Sequence, residues 1–385
     1  MTTAAAHIGL LAGAVTEVLP TETHVVAPPA VGEKPLSAAE PLEELAFRYG
    51  RTYDSSLAVD ADRTCFWSHD GSGVVSFLRS GRSLQVGGGL LAASDAKPRL
   101  LAEFTDFIRT RGWQATFYNI PDDDLPLFRE RGYQVTKWGE EALIDLPGLS
   151  CRGKAFEWVR RQTNYCRRKG LVFFECRQDE MSLSEWCRLT DEMRAVGADL
   201  LAAKPQRSEM RFMEGQFEPD RLGQRRLFCA RADGGAGRVE GFLVCNPGED
   251  GDFWALELYR QRHDAVRGTI AFLTHQALEL FQREGAKTAS LCLIPSLGCE
   301  QPQPGESALA RRALVWGARY FPFIFNVAGL YHFKSRFRPR FESRSICASP
   351  RITLRSAWAF VRVLGVLNLD WGKLLRLSVG RRPGK

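Results

Sequence analysis

The fold is decided by residues 254–294, which read WALELYRQRHDAVRGTIAFLTHQALELFQREGAKTASLCLI. Residues 254–259 carry the bulky apolar side chains of a β-strand, and residues 288–294 predict another strand. Between them, residues 268–285 begin at a conspicuous glycine and repeat apolar side chains at helical spacing, which predicts a long helix. A strand, a glycine-led helix and a strand in this order predict an α/β unit.

The same rhythm extends upstream of this unit and predicts two lobes. Asp70-Gly71 is typical of a hairpin turn, and a predicted helix is closed by Gly112. We therefore expect a mixed α/β fold with a flexible leader (1–39), a first lobe (40–150), a second lobe (151–350) and a tail (351–385). The other predicted strands are 57–59, 64–68, 73–79, 83–87, 114–119, 134–137, 171–176, 226–232 and 239–247, and the other predicted helices are 41–50, 97–111, 123–131, 153–169 and 183–196.

Composition excludes several classes of protein. The chain has 385 residues, of which 44% are hydrophobic and 25% are charged, as in a soluble protein of more than one domain. Its ten cysteines are scattered, with no C-x-x-C pair and no His/Cys cluster at metal-ligand spacing. We therefore expect reduced thiols and no metal site. No stretch of about 18 residues lacks a charge, so we expect no membrane-spanning helix.

The net charge of +7 comes from the tail. Residues 351–385 hold eight basic residues against one acidic residue, Asp370, which accounts for the whole excess. Within 353–377, Leu354, Trp358 and Val361 recur at helical spacing, which predicts a basic amphipathic helix. Such a helix either contacts an anionic membrane surface or packs on the body of the protein, and both interpretations remain open.

A basic and aromatic stretch precedes the tail at residues 325–344, which read FNVAGLYHFKSRFRPRFESR. Phosphate binding by the cations is one interpretation, with aromatic side chains stacking on bases. The other is an edge strand whose aromatic side chains face inward and whose arginines are solvated. The cations are Lys334, Arg336, Arg338, Arg340 and Arg344, against the single acid Glu342.

Two further groups of residues are candidates for chemistry. Glu257 and Arg260 lie near the end of a predicted strand, where a carboxylate can take a proton from a hydroxyl and an arginine can hold a phosphate or an oxyanion. The helix at 153–169 carries Lys154, Arg160 and Arg167, which can follow a nucleic-acid backbone. The alternatives are a structural Glu–Arg pair and a solvated helix face.

Coenzyme A is not favoured by the loop before the central helix. An acetyl-CoA enzyme needs a glycine-rich loop there, because free backbone N–H groups hold the pyrophosphate. Residues 264–272 read DAVRGTIAF, with one glycine and no second small residue at the required offset. We expect no cofactor.

Together these segments resemble the cytosolic catalytic domain of bacterial phosphatidylglycerol lysyltransferases and their relatives. The resemblance covers about residues 41–350. The motifs that carry it also agree with the family in their spacing and order. It rests on GEEALIDL (139–146), GKAFEWVRRQTNYCRRKG (153–170), ELYRQRHDAVRGTIAFL (257–273) and the stretch at 325–344.

The resemblance implies two tandem lobes of the GNAT-like fold joined by a basic helix, and transfer of an aminoacyl group from aminoacyl-tRNA to a lipid hydroxyl. It places Glu257 and Arg260 on the family's acidic and basic active-site pair, where Glu257 stands for the usual Asp. Arg336 and Arg340 fall on its cationic pair in the final motif, where Arg336 stands for the usual Lys.

From these matches we expect the following roles. Glu257 and Arg260 are catalytic, while Lys334, Arg336 and Arg340 bind lipid phosphate or the tRNA 3′ end. Lys154, Arg160 and Arg167 bind the acceptor stem, and the tail docks on the inner face of the membrane. The alternatives are an acyl-CoA-dependent N-acyltransferase on the same fold, and a relative that binds RNA or membrane without catalysis.

Overall fold

The computed structural model describes residues 42–203, 212–235, 237–320 and 326–365. The predicted leader and the end of the tail lie outside these ranges. Within them, no helix combines the length and the apolar character that a membrane crossing needs.

The first half of the chain forms three helices and six strands. A long helix packs across strands whose side chains are mostly buried. The elements are α1 (Leu42–Tyr49), β1 (Thr64–Trp67), β2 (Gly73–Ser80), β3 (Ser83–Val86), β4 (Leu91–Ala92), α2 (Lys97–Thr110), β5 (Gln114–Pro121), α3 (Leu125–Glu130) and β6 (Gln134–Asp145).

The second half continues with the predicted basic helix and ends in the described part of the tail. Its elements are α4 (Glu157–Arg168), β7 (Val172–Glu175), α5 (Leu183–Ala203), β8 (Arg226–Arg231), β9 (Val239–Gly248), β10 (Phe253–Gln261), α6 (Thr269–Arg283), β11 (Thr288–Pro295), α7 (Ala308–Tyr320), α8 (Val327–Ser335), β12 (Arg340–Ser349) and α9 (Leu354–Val363).

All of these strands belong to one mixed sheet. Its order is β1-β2-β3-β5-β12-β6-β11-β10-β9-β8-β7, and β4 pairs with β2. β12 comes late in the chain but lies between β5 and β6 and pairs antiparallel with both. The two halves therefore share one continuous sheet. The predicted division at residue 150 stays a prediction.

Each half contains the same unit of two parallel strands with a helix between them. In the first half β3 pairs with β5 across α2, and in the second half β10 pairs with β11 across α6. Parallel neighbours need such a crossover, and these two are built alike. The predicted mixed α/β class is confirmed, and the repeated unit agrees with two GNAT-like lobes.

The basic and aromatic stretch at 325–344 divides between two elements. Residues 327–335 form α8, and the stretch then continues into β12. The edge-strand interpretation is wrong, because β12 is an inner strand with partners on both sides.

Two local predictions are corrected. Residues 57–59, predicted as a strand, belong to a 3₁₀ turn over Ser55–Val59. Polar side chains bend the chain there, since the hydroxyl of Ser55 accepts from the backbone N–H of Thr52 at 3.2 Å. The strand predicted at 134–137 runs on to Asp145, because β11 and β12 pair with its second half.

The two faces of the sheet are covered by different helices. On one face, α4 and α6 bury Leu256 of β10 in a core with Phe272 and Phe281. On the other, α5 buries Leu258 of the same strand against Trp186. α9 packs on this second face, where its Phe360 stacks on Tyr118 with ring centroids 4.6 Å apart.

A buried ion pair fastens β12 to β6. Nε of Arg344 donates to Oε2 of Glu141 at 2.6 Å, and the Glu141 side chain is fully buried. The other carboxylate oxygen accepts from the hydroxyl of Ser290 at 2.5 Å and from the backbone N–H of Tyr53 at 3.2 Å. One carboxylate thus joins three strands and the loop after α1.

Arg344→Ala is expected to lower the free energy of unfolding by about 3–5 kcal/mol, because it leaves the Glu141 carboxylate buried without its counter-ion. Urea unfolding followed by circular dichroism measures the change. The control is Arg109→Ala, which breaks the exposed ion pair with Asp106 and is expected to leave stability unchanged. Equal effects of the two substitutions would contradict this role of Arg344.

Candidate active site

Glu257 is set apart from the rest of β10 by a β-bulge. Leu256 lies opposite Cys245 of β9, and Leu258 lies opposite Val244, so Glu257 is an extra residue between two paired positions. Bulges of this kind turn a side chain away from the regular alternation of a strand. Arg260 lies three residues further along the same strand and is buried as well.

The Glu257 carboxyl group has an unusual acidity. Its pKa is raised from 4.5 to about 8, mainly by burial and in part by the nearby charge of Glu214. Opposing this, the backbone N–H of Gly215 donates to Oε1 of Glu257 at 2.7 Å, and the charges of Arg225 and Arg260 favour the carboxylate. The group therefore changes protonation near neutral pH, as a general base or acid must.

Both members of the predicted pair are contacted by one short segment, residues 212–215. The carboxylate of Glu214 lies 3.2 Å from Nη2 of Arg260, while Gly215 donates to Glu257. The segment is anchored at its other end, where Arg63 donates to the carbonyl of Phe212 at 3.2 Å. Two carboxylates and one guanidinium thus share a small volume. Such a group suits a reaction in which a charge forms on the substrate and then disappears.

Lys334 is connected through β11 to the strand of this pair. It is buried, and its ammonium group donates to the carbonyls of Cys292 and Leu293 at 3.0 and 2.9 Å. Burial lowers the pKa of Lys334 to about 8. The thiol of Cys292 in turn reaches the carbonyl of Leu256 at 3.3 Å, one residue before Glu257. Lys334 thus contacts β11, and Cys292 of β11 links it to the strand that carries Glu257 and Arg260.

Helix α8, which carries Lys334, fills the space where β10 and β11 part. Their parallel pairing covers Phe253 to Ala255 on β10, although both strands continue further. Beyond that point, Phe333 of α8 lies beside Tyr259 of β10, with ring centroids 6.5 Å apart. Helix α8 therefore packs on the face of β10 that also carries α4 and α6.

Arg336 and Arg340 are not brought to the pair. Arg336 lies over the ring of Trp158 on α4, 5.7 Å from its centroid, so it extends the basic surface of that helix. Arg340 is half exposed and pairs with Asp145 at 3.0 Å and with Glu342. In the sheet it lies opposite β6, three strands or roughly 14 Å from β10.

Arg160 and Arg167 line one cavity of about 420 Å³ between α4 and α6. Arg160 also donates to the carbonyls of Cys151 and Gly153 and so holds the loop before the helix. Lys154 lies in the exposed turn before α4, outside the residues that line this cavity. Arg160 and Arg167 thus lie on α4 and Lys154 in the turn before it, on the sheet face that also carries α6.

Sequence reasoning missed Glu214 and Gly215. They lie in a stretch, FMEGQFEPD at 212–220, that has neither strand nor helix periodicity. No local signal identifies them, because their role depends on Glu257 and Arg260, more than forty residues later. Among the described residues no group of three or more His, Cys, Asp or Glu side chains is placed to hold a metal ion.

The two repeated β–α–β units on one mixed sheet, with the carboxylate–arginine pair on β10, define an α/β protein of the GNAT-like class. The family model for the C-terminal part of phosphatidylglycerol lysyltransferase matches residues 43–348. The chain therefore belongs to this family.

Comparison with curated proteins agrees with that assignment. The chain is 24% identical over 323 residues to phosphatidylglycerol lysyltransferase of Bacillus subtilis, covering 82% of this chain and 35% of the relative. It is 26% identical over 311 residues to the Staphylococcus aureus protein of the same name, covering 80% and 35%. The chain thus spans about a third of the length of these relatives.

Two solved structures share the fold. One is the C-terminal domain of a putative lysylphosphatidylglycerol synthetase from Agrobacterium fabrum, with a TM-score of 0.68, 24% identity and coverage of 83% of this chain and 93% of that one. The other is L-PGS from Bacillus licheniformis, with a TM-score of 0.68, 23% identity and coverage of 88% and 99%.

Gly215→Ala is expected to lower the free energy of unfolding by about 1–3 kcal/mol, because its methyl group would lie 2.8 Å from Oε2 of Glu257 and 3.0 Å from Leu57. Denaturant unfolding measures the loss. Gly197→Ala is the matched control, since Gly197 lies in α5 and a methyl group there meets no atom within 4 Å. A Gly215 variant as stable as the Gly197 variant would show that the 212–215 segment does not press on Glu257.

Proposed function

We propose that this domain transfers an aminoacyl group from aminoacyl-tRNA to the hydroxyl of a phospholipid such as phosphatidylglycerol. The observation that carries the proposal is the buried Glu257, whose pKa is raised to about 8, beside Arg260. Membership of the lysyltransferase family supports the donor and the acceptor. No cofactor is needed, because the aminoacyl ester is already activated.

In the proposed reaction the acceptor hydroxyl attacks the carbonyl carbon of the aminoacyl ester. Glu257 takes the proton of this hydroxyl as the new ester bond forms, and Arg260 stabilises the negative charge on the tetrahedral oxygen. When the bond to the tRNA ribose breaks, Glu257 returns the proton to the departing ribose oxygen. A carboxyl group with a pKa near the working pH serves both steps.

Glu214 holds the position that an anion would take at Arg260. Its carboxylate is about one-third exposed and lies 3.2 Å from the guanidinium. An oxyanion or a lipid phosphate reaching Arg260 would share or replace this contact. Lys334 bonds to the carbonyls of β11 and so holds α8 against the sheet beside Tyr259 of β10.

The tRNA would lie along α4 and enter the site past α8. Trp158 of α4 packs against Phe333 of α8 with ring centroids 6.3 Å apart, and Phe333 lies beside Tyr259, the neighbour of Arg260. Lys154, Arg160 and Arg167 would contact the acceptor stem, and Arg336 would continue this basic path toward the 3′ end. Arg340 stays a predicted phosphate ligand of lower accessibility, because two carboxylates contact it.

Coenzyme A is disfavoured as the donor by the start of α6. Gly268 precedes this helix with a φ of +92°, and a side chain at this position would lie 2.6 Å from Oε1 of Gln162 on α4. The first turn of α6 is therefore close against α4, which leaves little room for a pyrophosphate. This favours tRNA over an acyl-CoA donor.

The experiment that tests the function supplies purified protein with charged tRNA carrying each labelled amino acid in turn, and with mixed phospholipids. Label in the organic phase that ribonuclease pretreatment abolishes supports the proposal. Saturable binding of coenzyme A by calorimetry, without dependence on tRNA, would favour the acyl-CoA alternative. Binding of RNA without product from any charged tRNA would favour a non-catalytic relative.

Arg260→Ala is expected to lower kcat about 10²- to 10³-fold, because the developing oxyanion loses its charged donor. The rate of lipid aminoacylation under saturating substrates measures the loss. Arg109→Ala, which removes an exposed arginine on α2, serves as the control and is expected to keep normal activity. Near-normal activity of Arg260→Ala would remove this residue from the mechanism.

The pH dependence follows from the raised pKa of Glu257. Its basic form is the active one in the first step, so kcat/KM is expected to rise with pH and level off above a midpoint of about 8. Glu214→Gln removes a charge that raises this pKa, so the midpoint is expected to move to lower pH. A profile that Glu214→Gln leaves unchanged, or a rising limb that survives Glu257→Gln, would exclude Glu257 as the base.

A further inference from the structure

Helices α7 and α9 expose large apolar side chains to solvent. Leu309, Trp316 and Tyr320 of α7 are all more than half exposed, and so are Leu354 and Trp358 of α9. Trp316 and Tyr320 lie one turn apart on the same side of α7, with ring centroids 5.2 Å apart. Surface patches of this kind in water-soluble domains mark places where another surface binds.

Arginines alternate with these apolar side chains, and acids are absent from both helices. On α7, Arg312 and Arg319 lie on the exposed side that also carries Trp316. On α9, Arg355 and Arg362 flank Trp358 at helical spacing and are likewise exposed. None of these four arginines forms an ion pair with any residue that the structure describes, which leaves their charge available for a partner.

The two helices lie on the same face of the sheet. Leu314 of α7 and Phe360 of α9 pack on the same core cluster, which includes Trp138 of β6. α9 lies over β2, β3 and β5, and α7 lies over β6. One face of the sheet therefore carries both sets of exposed side chains.

This face is also the face of the 212–215 segment. The ring of Phe360 meets the ring of Phe212 edge-on, with centroids 5.9 Å apart. Phe212 is two residues from Glu214, which contacts Arg260. The exposed surface of α7 and α9 and the candidate active site are thus joined through two packed aromatic rings.

We infer that the exposed surface of α7 and α9 docks on an anionic lipid bilayer and presents the lipid headgroup to the site of Glu257 and Arg260. The inference rests on the proposed function and adds the surface that meets the membrane. Tryptophan and tyrosine rings suit the boundary between headgroups and acyl chains, and arginines suit anionic headgroups. A protein partner would need a cluster of acidic side chains to match these arginines. In an anionic bilayer, every anionic lipid headgroup already carries such a negative charge.

The two interpretations of the tail, contact with a membrane and packing on the body of the protein, are therefore compatible. The inner side of α9 packs on the body through Ala359 and Phe360, while its outer side carries Trp358 between two arginines. Helix α7 carries a second set of exposed aromatic and basic side chains on the same face of the sheet.

The test compares the full chain with a variant carrying Trp316→Ala and Trp358→Ala. Both rings are largely exposed, so the variant is expected to melt as the parent does. Cosedimentation measures binding to vesicles of phosphatidylcholine with phosphatidylglycerol, and to vesicles of phosphatidylcholine alone. The parent is expected to bind the anionic vesicles, and the variant at least about tenfold more weakly. Leu183→Ala, an exposed apolar residue of α5, is the control and is expected to bind like the parent.

A second measurement separates docking from catalysis. Aminoacylation of a short-chain phosphatidylglycerol, dissolved as monomers, is expected to be equal in the parent and the double variant, whereas aminoacylation in vesicles falls in the variant. Anionic vesicle binding that depends on the two tryptophans supports the inference even if no lipid is aminoacylated, in which case the proposed function alone fails.

Three results would overturn the docking surface. The parent fails to bind anionic vesicles, the double variant binds them as the parent does, or binding is equally strong to vesicles of phosphatidylcholine alone. A parent that is dimeric in sedimentation velocity, with the double variant monomeric and vesicle binding unaltered, would assign the surface to a second copy of the chain.

Discussion

The joining of the two halves of the chain depends on the ion pair and hydrogen bonds of one buried carboxylate, that of Glu141. It belongs to β6, accepts from Arg344 of β12 and Ser290 of β11, and also holds the loop after α1 through Tyr53. A buried charge is tolerated only where each of its oxygens has partners. These partners come from three other parts of the chain, so satisfying one side chain fixes the order of the central strands. The bulge of β10 and the position of α8 depend on this order of the strands.

The chemistry of the candidate site follows from a conflict between burial and charge. Glu257 is removed from water, which opposes its ionisation, yet two arginines and a backbone amide favour the ionised form. The negative charge of Glu214 favours the protonated form of Glu257 and at the same time neutralises Arg260. The 212–215 segment therefore tunes both groups at once. Displacing it by an anionic substrate would alter the acidity of Glu257 in the same step that frees the guanidinium.

The sequence predicted those parts of the structure whose signal is local. The strand–glycine–helix–strand unit at 254–294 is periodic, and its ends are marked by glycine, so β10, α6 and β11 were placed within a few residues. The second half of β6 was not predicted, because its burial depends on β11 and β12, which lie far away in the sequence. Glu141 is in fact buried by an arginine two hundred residues later. Arg344 was grouped with phosphate ligands for the same reason, since composition does not reveal a distant partner.

The position of β12 has a consequence for how the chain is made. Residues 114–145 leave the ribosome as two strands, β5 and β6, whose facing edges must wait for a strand encoded about two hundred residues later. Until then, the nascent first half displays two open sheet edges, which invite wrong pairing with other chains. Folding during synthesis therefore stops short of a finished first lobe. The insertion of β12 between β5 and β6 is thus a late event in folding.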